Sequence, residues 1–113
     1  MLKNESNNKN LSREVDICRS ILSKSLGLMF SKIGKSLVFI FDKEKIISLH
    51  MFFVFYPIDV LFLDRNKKIV EIKENFKPFK FYLPKKRAKF VVELPYGIVK
   101  KTRTQIGDII SFK

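Results

Sequence analysis

The sequence predicts a mainly β fold of the α+β class. It should be one small domain, a compact β-barrel or β-sandwich of six to eight short strands with one or two short helices. Three observations carry this. Residues 46–64, IISLHMFFVFYPIDVLFLD, form an almost unbroken apolar run rich in β-branched and aromatic side chains, the types that fit a pleated surface. Short alternating or apolar segments recur between Gly, Pro, Asn and Asp breaks. A length of 113 residues suits one domain with a core of its own and leaves no room for a second.

Residues 1–12, MLKNESNNKNLS, are polar, lack the apolar stretch of an export signal, and read as a disordered or loosely held lead to a domain over 13–113. EVDIC (14–18) alternates as a first strand. In SILSKSLGLMF (20–30), Ser20 suits an N-cap, and Ile21, Leu22, Ser25, Leu26 and Met29 fall near helical spacing. SLVFIF (36–41) reads as a short buried strand and DKEK (42–45) as a charged turn. The loud apolar run divides at Tyr56-Pro57 into strands over 48–55 and 58–63, whose near-continuous hydrophobicity calls for cover on both faces. The rival reading, a membrane span, needs about 20 apolar residues. Pro57 would break such a helix, and Asp59 would cost about 2.5 kcal/mol or more at the bilayer centre. No span is therefore expected. DRNKK (64–68) is a turn, and KIVEIKE (68–74) a strand with Ile69 and Glu71 on one face and Val70 and Ile72 on the other. Residues 75–87 form a Pro-punctuated loop holding a short strand, KFYL. AKFVVEL (88–94) is a strand, PYGIVKKTRT one or two helical turns, and IGDIISF (106–112) a Gly-Asp turn into a last strand.

Charge is lopsided, with 23 Lys and Arg against 11 Asp and Glu, net +12. Eighteen of the cations are Lys and five Arg, and it is Arg that suits bidentate reading of phosphates and bases. Codon bias toward A and T also produces a surplus of Lys, Asn, Ile and Phe. Such a balance speaks to partners and solubility rather than to fold. Cys18 is the single cysteine, so no intramolecular disulfide can form, and a reducing, cytoplasmic setting is expected.

Several segments, GLMF (27–30), HMFFVFYPIDVLFLD (50–64), IVEI (69–72), AKFVVELPYG (88–97) and IGDII (106–110), resemble in order and spacing the prokaryotic domain-of-unknown-function family 192, also called uncharacterised protein family 0127. The resemblance covers about residues 15–112. It implies a single mainly β domain of this length and no established activity. Many bacterial relatives carry a Trp before the Met and a Lys-Asn pair after it. Here His50 precedes Met51, and Phe52 and Phe53 follow, which looks like the archaeal form.

No catalytic residue can be assigned: there is no nucleophile elbow, phosphate-cradling Gly loop or dinucleotide fingerprint. A lone histidine without a Cys-x-x-Cys pair points to no metal site, and no cofactor is implied. His50, Asp59, Glu93 and Asp108 are the candidate ligand-binding residues. For each there is a structural alternative. His50 can be a hydrogen-bonded core imidazole, Asp59 an acceptor of backbone N–H groups at the Tyr56-Pro57 turn, Glu93 an outward strand residue or a charge at a helix start, and Asp108 a turn residue after Gly107. The basic aromatic stretch KPFKFYLPKKRAK (77–89) interleaves Phe79, Phe81 and Tyr82 with Lys77, Lys80, Lys85, Lys86 and Arg87. That is the pattern of a single-strand nucleic-acid platform unless the rings face inward. Lys100, Lys101 and Arg103 extend the basic set.

Three functions follow. The leading one is a non-catalytic binding or accessory module for a protein or small-molecule partner, with a site near Asp59 and the 75–87 loop as one wall. The second is a nucleic-acid-associated protein using the two basic segments. The third is an enzyme pairing Asp59 with Glu93 or Asp108.

Overall fold

The computed structural model describes residues 1–18, 36–50 and 56–112. Ten strands and one short helix lie among them: β1 (Leu2–Asn4), β2 (Lys9–Ser12), β3 (Val15–Cys18), β4 (Ser36–Lys45), β5 (Leu49–His50), β6 (Ile58–Leu63), β7 (Ile69–Phe76), β8 (Phe81–Tyr82), β9 (Ala88–Pro95), α1 (Ile98–Thr102) and β10 (Ile110–Phe112). The fold is mainly β, as expected, with ten strands among the described residues where six to eight were expected. The helix expected over 20–30, the GLMF motif and residues 51–55 lie outside the described residues.

The centre is a five-stranded sheet ordered β3-β4-β9-β6-β7, parallel between β3 and β4 and antiparallel elsewhere. Every residue of β6 is buried, as a sequence that is apolar but for Asp59 favours, because both faces of the sheet are covered. On one face Leu37, Phe39 and Phe41 of β4, Ile58, Val60 and Phe62 of β6, and Phe76 and Val91 pack together with Ile47, Leu49, Tyr56 and Tyr82. On the other, Val38, Leu61, Leu63, Ile69, Val92 and Leu94 meet Leu2, Leu11 and Ile110 of a three-stranded sheet, β10-β1-β2, and Val99 of α1. The result is layered. Among the described residues β3 and β7 are the two edges of the central sheet, which does not close into a barrel. No helix among them is long and apolar enough to cross a membrane.

Two expectations are corrected. Residues 1–12 are not a loose lead: Leu2 pairs with Phe112 and with Ser12, and Asn4 with Ile110 and Lys9. Asn4 is fully buried; its Nδ2 donates to Asp108 Oδ2 at 2.8 Å and to Thr104 Oγ1 at 3.2 Å. Its Oδ1 accepts the N–H groups of Ser6 and Asn7 in a turn that Asn8 completes at φ 63°. The polar sequence conceals this because main-chain pairing and partners a hundred residues away do the holding. The second correction is at residues 42–45, which continue β4 rather than turning. After a bulge, Lys45 pairs with Ala88, and Glu44 accepts the N–H of Arg65 at 2.8 Å.

Candidate functional site

The basic aromatic segment is built on Glu71. Its Oε1 accepts the N–H groups of Lys85 and Lys86, each at 2.9 Å, and its Oε2 accepts the Tyr82 hydroxyl. Tyr82 packs with ring centroids 5.9 Å from Phe62 and 6.1 Å from Phe76. Desolvation, then the Glu71 hydrogen bond and charge, push its phenol up to about 12. One carboxylate thus ties the β8 strand and the turn beyond it to β7. Glu71→Ala is expected to raise hydrogen-exchange rates at the Lys85 and Lys86 amides several-fold while β9 keeps its protection. Unchanged rates at both amides would mean that the turn holds without Glu71.

Between the end of β7 and β8 lies a cleft of about 410 Å³ lined by Lys73, Glu74, Asn75, Phe76, Lys77, Lys80, Phe81 and Tyr82. A volume of that order falls within the range of small-ligand sites. Lys73 Nζ sits 5.4 Å from the Tyr82 ring centroid. Two residues at the rim are left-handed, Asn75 within β7 at φ 51° and Phe79 in the turn after it at φ 63°. The second of these is an uncommon conformation for a bulky side chain. Sequence reasoning missed Lys73 and Glu71 because both belong to the alternating strand 68–74, where a charged residue reads as a solvated face.

Asp59 is fully buried and accepts three backbone N–H groups. Its Oδ1 takes Asn75 and its Oδ2 takes Gly97 and Val99, all at 3.0 Å. The expected kind of bond is present, with different donors from the Tyr56-Pro57 turn. The N-cap of α1 is Gly97 at φ 95°, which has no side chain to accept the first amides. The carboxylate of Asp59, on the strand beside β9, takes that part. Because Asn75 lines the cleft, the same side chain fixes the cleft wall.

Glu93 and Asp108 do not join it. In the β6–β9 register Glu93 lies opposite Val60 and Asp59 opposite Leu94, so the two carboxylates project to opposite faces of the central sheet. Glu93 is 2% exposed, and neither of its oxygens has a hydrogen-bond partner among the described residues. It is therefore not the outward residue expected, and burial pushes its carboxyl well above the ordinary range. Asp108 accepts Asn4 Nδ2 and the Gln105 N–H, at 2.8 and 3.0 Å, after the turn at Gly107 (φ 98°). It pins the N-terminal strand to the turn before β10. Among the described residues no three His, Cys, Asp or Glu side chains group as metal ligands. His50 pairs through its backbone with Phe81, beside the cleft; its side chain is outside the description.

Lys77, Lys80, Lys85, Lys86, Arg87, Lys100, Lys101 and Arg103 are all exposed. They form two groups. In the first, Lys77 and Lys80 line the cleft and Lys85, Lys86 and Arg87 follow on the turn after β8, whose Tyr82 packs against one face of the central sheet. The second rides on α1, which packs through Val99 against the other. Of the three interleaved rings Tyr82 packs against the core, while Phe79 and Phe81 are 57% and 55% exposed.

The profile of the DUF192 family, described as an uncharacterised ACR, matches residues 2–112. The chain belongs to the DUF192 family. A UPF0127 protein of Pyrococcus horikoshii is 40% identical over 99% of this chain and 98% of its own length. Another, of Thermococcus sibiricus, is 35% identical over 100% of this chain and 75% of its own. These archaeal relatives agree with the archaeal-type apolar run of this DUF192 member. A crystal structure from Sinorhizobium meliloti 1021, of a protein provisionally described as a transcription regulator, superposes with a TM-score of 0.80 at 24% identity, covering 86% of this chain and 79% of that one. At that identity the likeness concerns the fold alone.

Proposed function

We propose that this DUF192 domain is a non-catalytic binding module, working in the cytoplasm, whose ligand site is the cleft between β7 and β8. Asp59 is the buried residue that positions its wall. The observation that carries the reading is the cleft itself: three lysines, Lys73, Lys77 and Lys80, stand around Phe76, Phe81 and Tyr82 with a single carboxylate, Glu74, at the lining. That lining suits an anionic ligand with apolar surface. A carboxylate-pair enzyme has less support, since the Asp59 oxygens are taken up by backbone amides and Glu93 faces the other way.

Thermal melts against pyrophosphate, oligonucleotides, divalent cations and simple saccharides test the reading. A ligand bound only by the folded state raises the melting temperature by mass action. An anion in the panel is expected to do so, and Lys77→Ala/Lys80→Ala to abolish the rise. A shift that survives the double substitution would place binding elsewhere, and a cation-specific shift would contradict the anion preference.

A further inference from the structure

We propose that the cleft and the exposed ridge beside it bind single-stranded nucleic acid, the phosphates against lysines and the bases against the rings of Phe79 and Phe81. The inference rests on the cleft being a ligand site and names its occupant.

The first argument is exposure. Large aromatic side chains are normally spent on the core, and the neighbouring ring of Tyr82 is spent that way. Phe79 and Phe81, two and four residues after Lys77, are instead more than half exposed, and Leu83 is 60% exposed. Phe79 holds its place on the rim in a left-handed backbone conformation that its side chain disfavours. The second argument is charge. Lys73, Lys77 and Lys80 line the cleft against one carboxylate, Glu74, and Lys85 and Lys86 are exposed on the turn after β8. The nearby Glu71 is already engaged by Tyr82 and two backbone amides. Aromatic faces interleaved with cations are how single strands are held without sequence reading, because every base has a face to stack. All five of these cations are Lys, a point charge that meets a phosphate without the fork that reads a base edge. The third argument is rigidity. Glu71, the Phe62–Tyr82–Phe76 packing and the Asp59–Asn75 bond hold the platform before any ligand arrives, so little ordering is required on binding. A duplex keeps its base faces stacked inside and offers these rings nothing. An acidic peptide matches the lysines and leaves the rings unused.

The experiment is fluorescence anisotropy with labelled single-stranded DNA and RNA of about ten nucleotides, within the site sizes such folds use. The same sequence as a duplex and poly-glutamate are run alongside, each across a salt series. Single strands are expected to bind with a log–log salt slope of about −0.7 per phosphate neutralised, and Lys77→Ala/Lys80→Ala to make the slope shallower by about 1.4. Phe79→Ala/Phe81→Ala should weaken binding at least about tenfold with the slope unchanged. Lys100→Ala/Lys101→Ala, on the other face, should leave affinity near that of the unaltered protein. All six side chains are exposed, and a melt confirms that each variant is folded. Equal binding of duplex or poly-glutamate would overturn the proposal. So would an unchanged affinity without the two rings, or equal losses from both lysine pairs. If oligonucleotides fail while pyrophosphate still perturbs the amide signals of Lys73–Tyr82, the cleft stands as an anion site and the nucleic-acid inference falls. If neither perturbs them, the cleft reading falls as well.

Discussion

Asp59→Ala is expected to destabilise the domain by about 3 kcal/mol or more, the cost of leaving several buried donors without an acceptor. At this chain length that corresponds to about 10 °C or more in melting temperature. The carboxylate is fully buried and its acceptor capacity is used by the amides of Asn75, Gly97 and Val99. Alanine leaves all three facing an apolar void between Leu61 and Leu94, which flank the site on the same face. Asp59→Asn keeps one oxygen and turns an NH₂ toward the remaining donors, so an intermediate loss is expected. Denaturant titration measures both. The structure also predicts where the damage appears first: at the Val99 amide and at Asn75, on opposite sides of the one carboxylate. An Asp59→Ala protein within about 1 kcal/mol of the original would show that water or a shifted backbone can replace the carboxylate, and the anchoring role would be lost.

The second large effect is on pH dependence, through Glu93. Its carboxyl is raised well above the ordinary 4.5 by burial. The native protein therefore holds a proton there that the unfolded chain releases. Where the native form binds more protons, stability falls as pH rises. The contribution of this group is complete below about 4.5, the unfolded value, and is lost progressively as pH climbs toward the raised native value. Within that window the slope is at most about 1.4 kcal/mol per pH unit. Glu93→Gln preserves the shape of the neutral carboxyl and removes the titration. Its stability relative to the unaltered protein should therefore grow with pH from about 4.5 upward, by denaturant titration at a series of pH values. Parallel stability curves for the two proteins would mean that Glu93 titrates normally in the fold.

Most of the strand order can be read from the chain. β6 over Ile58–Leu63 and the burial of both its faces follow from IDVLFL alone. β3 follows from EVDIC and β9 from AKFVVEL, while the helical turns expected to open at Pro95 begin at Ile98, because Pro95 still belongs to β9. Hydrophobic pattern reports what a segment must hide, and these segments hide a great deal. β1 and β2 hide little: one buried leucine each, Leu2 and Leu11, in a polar sequence. The asparagines of the 4–8 turn are the only local signal they carry. The candidate site was half legible. The alternation of lysine and aromatic residues over 77–82 marked the cleft, while Lys73 and Glu71 were disguised as ordinary strand charges.

By itself, then, the sequence determined a mainly β domain, an apolar centre over 58–63, a strongly basic aromatic segment and the family to which all of it belongs. Each is a property of local pattern or composition, written in neighbouring residues. Only the tertiary structure decided that Asp59 caps a helix forty residues away, that Glu93 lies on the other side of the same sheet, and that Phe79 and Phe81 stand out beside the cleft. It decided too that Asn4 closes the fold against Asp108. These are consequences of strand register and of contacts far apart along the chain. A shift of one residue in a strand would exchange its faces, and no neighbouring residue records which face was chosen.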